Sequence, residues 1–285
     1  MQKKRKKSRL YEIWRQLRKN KLAVAALVVL VLLLLVAVFA PLLAPYPYDQ
    51  LNAKLSFADA SKEHLLGNDR LGRDILSRLI YGSRQSLSMG VVAVAIAATI
   101  GITIGAIAGF YGRWVDNLCM RLLDIYQAMP MFLLCVALAA ILGPSLRNAI
   151  IALGVGTVPG YARIMRASIL TVREKEYVEA ARAIDASDAN IILKHILPNA
   201  IGPLIVQITM GVGGCILAGS ALSFIGLGVQ PPLPEWGAMI SDGRSYLREA
   251  PRLTIYPSIC VMLSVLSCNL LGDGLRDALD PRLKN

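Results

Sequence analysis

The chain has 285 residues but only two histidines, His64 and His195. Neither stands in an H-E-x-x-H or comparable ligand spacing, so histidine–metal chemistry has no foothold. No G-x-x-x-x-G-K-[ST] occurs, so the chain does not itself hold ATP through a phosphate-binding loop. Charged residues are scarce inside the long apolar runs. Proton- or ion-coupled carriers need ionisable groups at membrane depth, so that class is disfavoured. The five cysteines, Cys119, Cys135, Cys215, Cys260 and Cys268, form no C-x-x-C pair and lie in or beside apolar runs. They read as small core residues, not as a disulfide framework or zinc site. No internal repeat and no low-complexity linker divides the chain. The expectation is a protein with no catalytic residues, no metal and no cofactor.

What is present is apolar. Hydrophobic residues make up 55% of the chain and the mean hydropathy is +0.53. They fall in blocks of about 20, long enough to cross a bilayer as helices. The expected class is all-α, a polytopic membrane protein of about six transmembrane helices in one lipid-embedded bundle. The net charge of +12 is uneven, because residues 1–21 carry ten Lys or Arg and one acid, Glu12. A nucleic-acid role for this tail is weaker than a topological one, since positive residues beside a span stay in the cytoplasm. The run after it is too long for a signal-peptide core of about 7–15 residues, so it reads as an uncleaved first span.

Residues 1–21 form a basic cytoplasmic tail and 22–44 the first span. Residues 45–84 are an extracytoplasmic or interfacial region with six basic and five acidic residues. Further spans fall near 87–110, 122–142, 200–224 and 253–271. Between them, 148–162 is uncharged for only 15 residues, short for a span, so a re-entrant segment rivals it. Asp124, one turn after Arg121, is expected to pair with it at i, i+3. "GVGGCILAG" after Met210 has no strand before it, so its small residues serve helix packing. With the N-terminus inside, the 163–199 segment and the tail from 274 to 285 are cytoplasmic.

That 163–199 segment is the polar island. The spacing predicts a helix over 163–184, with Tyr177, Val178, Ala181 and Ile184 on one face and Glu179 and Arg182 pointing away. "DASD" then breaks it, with Asp185 or Ser187 as candidate N-cap. A second helix over 188–196 should stop before Pro198. A helix pair of this kind can lie on lipid or dock a protein.

"EYVEAARAIDASDANIILKHILPN" resembles the EAA loop of binding-protein-dependent ABC importer permeases. "LLGNDRLGRDILSRLIYGSRQSL", "SFIGLGVQPPLPEWGAMISDGRSYL" and "NLLGDGLRDALDPRLK" look like further segments of the dipeptide/oligopeptide permease C subunits, in family order. The resemblance covers nearly the whole chain. It implies a type I ABC importer permease fold, with residues 85–273 as the permease domain in a bacterial inner membrane. It also implies a second permease subunit in a heterodimer, two cytoplasmic ABC ATPases and an extracytoplasmic solute-binding protein. By the same resemblance the expected cargo is a di- or oligopeptide, with nickel or another small solute as the alternative, and the chain itself is expected to perform no catalysis. The coupling contacts fall on Glu179, Ala180, Ala181 and Asp185, with Ser187 shaping the turn. Asp185 stands where the family pattern has glycine, and Asp reaches left-handed backbone angles only at some cost.

Overall fold

The structure, a computed structural model, describes residues 9–279. Residues 1–8 of the basic tail and 280–285 of the expected C-terminal tail lie outside the described residues. Among the described residues the regular structure is helical, apart from one isolated antiparallel bridge between Asn68 and Asp74.

Helix α1, Arg9–Leu17, precedes α2, Lys21–Val38. The Asn20 side-chain oxygen accepts the Ala23 N–H at 3.1 Å and caps α2. The chain breaks at Phe39 before the short α3, Ala40–Leu43. An uninterrupted span to residue 44 is therefore corrected: Pro41 has no N–H to donate and its ring crowds the preceding turn. Helix α4, Ile75–Tyr111, has 37 residues and is about 55 Å long. It starts well before residue 87, because Ser77, Arg78, Ser83 and Ser86 in its early turns are buried against other parts of the protein.

The expected third span is broken. Helix α5, Arg113–Tyr126, and α6, Met131–Leu142, meet at 76°. Pro130 is the cause, since the residue before a proline is pushed out of helical geometry. The short fourth segment is no re-entrant loop. It belongs to α7, Leu146–Val172, a 27-residue helix about 40 Å long, capped by the Ser145 hydroxyl on the Asn148 N–H. Helices α8 (Glu176–Ala183), α9 (Asp188–Asn190), a π-helical turn (Ile191–Ile196) and α10 (Leu197–Ala200) follow. Helices α11 (Gly202–Phe224), α12 (Trp236–Gly243) and α13 (Arg252–Leu279) complete the fold. Among the described residues α2, α4, α11 and α13 are long and apolar enough to span, and the bent α5–α6 pair makes up to five. Helix α7 has the length, but its arginines lower its apolar character.

The main core lies between α4, α6, α7 and α11. Gly101, Gly105 and Gly109 recur every fourth residue along α4, on the side facing α7. A Cβ on Gly105 would stand 2.3 Å from the Ala162 carbonyl oxygen, and one on Gly101 2.6 Å from Tyr161 Cβ. Only hydrogen fits between backbones this close. The small-residue run of α11 packs likewise: Gly211 abuts Tyr161, Gly213 abuts Cys268 and Gly219 abuts Met89. A satellite cluster joins Leu17, Ala23 and Ala278, so α1 rests on α13 well past residue 274.

Glu235 is wholly buried where α12 begins. One carboxylate oxygen accepts the Ala238 N–H at 2.9 Å; the other accepts the Ser86 hydroxyl at 2.9 Å and the Ser220 hydroxyl at 3.3 Å. The next residue, Trp236, donates its ring N–H to the Leu79 carbonyl. This one side chain thus ties α12 to α4 and α11. Glu235→Ala would strand buried donors and cost about 3 kcal/mol, with Glu235→Gln costing less. Thermal unfolding of the purified protein in nanodiscs checks the ordering.

Candidate functional site

Helix α8 ends in a two-bond turn. The Ala186 N–H reaches the Ala181 carbonyl at 3.2 Å and the Asp185 N–H reaches the Arg182 carbonyl at 2.9 Å. Asp185 is left-handed, with φ of 58°. This is the Schellman pattern, in which the left-handed position ordinarily takes glycine. Asp185 adopts the glycine geometry, so the expected turn is kept. Ser187 occupies the N-cap position of α9 but its side chain makes no capping bond.

The single helix expected over 163–184 is two. Helix α7 stops at Val172 and α8 restarts at Glu176 after extended backbone at Lys175. The change of direction buries Val178 and Ala181 in the main core and leaves Tyr177 and Ile184 outward. The buried stripe of α8 is thus narrower than the face expected from spacing, and Tyr177 and Ile184 lie at its edges. The second helix was expected to stop before Pro198, yet helical structure runs on to Ala200. The wider π turn ahead of Pro198 leads into a first turn, where a missing N–H costs nothing. Ile191 and Ile196 anchor this arm in the same core.

Of the coupling candidates, Ala181 faces inward, while Glu179, Ala180, Asp185 and Ser187 are exposed. The segment is pinned to the end of α4. Arg173 Nη1 donates to the Gly109 carbonyl at 3.0 Å, and the Arg182 guanidinium lies 5.5 Å from the Phe110 ring centre. Two further ion pairs link α7 to α5. Arg166 holds Asp116 through both carboxylate oxygens, and Arg163 Nη2 reaches Asp124 at 2.6 Å. Asp124 therefore pairs across helices, not with Arg121. Arg163 projects from α7 across to α5, a contact that spacing along one helix does not reveal.

Above these pairs lies a cavity of about 330 Å³ between the α5–α6 break, α7 and α11. Its polar lining is Gln127, Thr157, Tyr161 and Gln207, and no charged side chain lines it. Gln127 and Gln207 lie some 80 residues apart in sequence, so residue order gives no signal that they share a wall.

The fold is a bundle of long apolar helices with a cavity lined by neutral side chains and an exposed helical arm anchored to its core. Residues 101–285 match the family described as binding-protein-dependent transport system inner membrane component. Residues 8–60 match the N-terminal transmembrane domain of oligopeptide transport permease C. The chain belongs to this family and is a permease subunit of an ABC importer. It is 47% identical over 274 residues to a dipeptide transport system permease protein of Alkalihalophilus pseudofirmus, covering 96% of this chain and 90% of that one. It is 42% identical over 280 residues to a glutathione transport system permease protein of Pectobacterium atrosepticum, covering 96% and 91%. Solved structures share the fold. One is the inward-facing MetNI methionine ABC transporter, with a TM-score of 0.57 and 21% identity over 71% of this chain and 96% of that one. Another is an amino acid ABC transporter, with a TM-score of 0.54 and 16% identity over 70% and 94%.

Asp185→Gly should keep uptake, whereas Asp185→Val should cost the turn about 1–2 kcal/mol and lower uptake in membrane vesicles. Asp116→Arg or Arg166→Asp alone should reduce solute moved per ATP hydrolysed, and the double swap should restore part of it.

Proposed function

We propose that this chain forms half of the translocation path of an importer for short peptides in a bacterial inner membrane. Its partners are a second, different permease subunit, two cytoplasmic ABC ATPases and an extracytoplasmic solute-binding protein. Its N-terminus and the 163–199 segment face the cytoplasm, and residues 45–84 face outward. The chain performs no catalysis; ATP is hydrolysed by the ATPases.

The observation that carries this reading is the α8 arm. Val178, Ala181, Ile191 and Ile196 lock it into the core, while Glu179, Ala180, Asp185 and Ser187 are presented to solvent. A docked ATPase would contact those exposed residues, with Ala181 holding the helix in place from behind. A displacement there passes to α4 through Arg173 and Arg182, and from α7 to α5 through the Asp116 and Asp124 pairs. Helix α5 leads into the break that walls the cavity. The neutral lining suits solutes that vary in side-chain charge. The peptide class is supported by relatives named for dipeptide and glutathione transport.

Glu179→Lys should leave the protein in the membrane, abolish dipeptide uptake and release the ATPases on purification. Normal uptake by this variant would overturn the docking assignment. The ligand that co-purifies with the solute-binding protein of the same system reports the cargo directly.

A further inference from the structure

A second cavity, of about 320 Å³, opens at the far end of α4. Its charged lining is Asp69, Arg70, Arg73, Arg78, Asp242 and Arg244. The cations outnumber the acids four to two, and Asp69 is already engaged. Asp69 is buried and accepts the Leu71 and Arg73 backbone N–H groups at 2.8 and 3.0 Å on one oxygen. Its other oxygen accepts Arg73 Nε at 2.6 Å and lies 3.7 Å from Arg78 Nε. Asp242 is 64% exposed and 4.0 Å from Arg73. Two guanidinium groups, each with five N–H donors, are thus buried around one carboxylate. Arg78 gives one further bond, to the Tyr48 carbonyl at 3.1 Å. At the rim, Arg244 lies over the Phe224 ring at 5.0 Å, and Arg70 is exposed.

Four arginines against two carboxylates leave the cavity positively charged, with the excess at the rim on Arg70 and Arg244; that charge favours an incoming anion, and the planar arginine fork matches an oxyanion through paired hydrogen bonds. Arg78 lies about 47 Å along α4 from Gly109, where the coupling arm is pinned. If that arm faces the ATPases, this cavity faces the side on which solute arrives.

We propose that this arginine cavity is an oxyanion site that takes the α-carboxylate of a short peptide at the outer mouth of the permease. The inference rests on the peptide reading above. Every unmodified peptide carries that carboxylate whatever its side chains, so a site for it tolerates varied sequences.

The test uses the full chain with its permease partner and ATPases, without the binding protein, in phosphatidylcholine nanodiscs. The probes are N-acetyl-alanyl-alanine and its C-terminal amide, and binding is read by titration calorimetry. The acid should bind about tenfold more tightly than the amide. Arg70→Gln with Arg244→Gln leaves the buried Asp69 group intact and should remove most of that preference. Arg78→Lys keeps the charge, loses the fork, and should weaken it. Equal binding of acid and amide overturns the proposal, as does a preference unchanged in the double variant. Phosphatidylglycerol nanodiscs separate the other source of oxyanion, a lipid headgroup. If they abolish acid binding to the unaltered protein, the cavity belongs to lipid phosphate and the proposal fails. Absent acid preference with intact peptide uptake rejects this site and leaves the peptide reading standing. Acid preference without peptide uptake does the reverse.

Discussion

The close approach of α4 and α7 is the contact on which the rest of the molecule depends. Gly101, Gly105 and Gly109 let two long helices meet backbone to backbone, with Ala162 and Tyr161 filling the space a side chain would need. In lipid there is little hydrophobic force between helices, so close packing and hydrogen bonds must hold them. This contact also fixes the ends. Gly109 is the last of the three glycines, and its carbonyl is the one Arg173 grips. The α8 arm is therefore placed by the same contact that builds the core.

Polar groups sit at the two extremes of that frame. At one end Asp74 caps α4 while His64 reaches its other carboxylate oxygen at 2.9 Å, and Asp69 gathers Arg73 and Arg78. At the other end Asp116 and Asp124 face Arg166 and Arg163. Between them the cavity wall is neutral. Charges near the ends can reach water or headgroups, whereas a charge at mid-depth carries a desolvation cost without that relief.

Much of this was legible in residue order. Apolar blocks marked the spans, and the EAA-like segment stood out as a polar island. Asp185 was legible as the residue to watch, because a turn that takes glycine demands left-handed geometry. The break at Pro130 was readable in principle from the proline, yet the hydrophobic run continues through it and periodicity hid the kink. Asp124 misled for a different reason: Arg121 is its neighbour along the chain and Arg163 its neighbour in space. Glu235 left no signal at all, since a lone acid in a loop looks like any solvated one.

By itself the sequence determined the class, the number of long apolar segments within one or two, and the turn at Asp185. Each of these depends on local chemistry: hydrophobic length, charge beside a span, or one residue's backbone freedom. Only the tertiary structure decided which glycines touch, which acid meets which arginine, and that Gln127 and Gln207 share a wall. Those are contacts between residues distant in the chain, and they exist only once the close α4–α7 contact has set the helices in register.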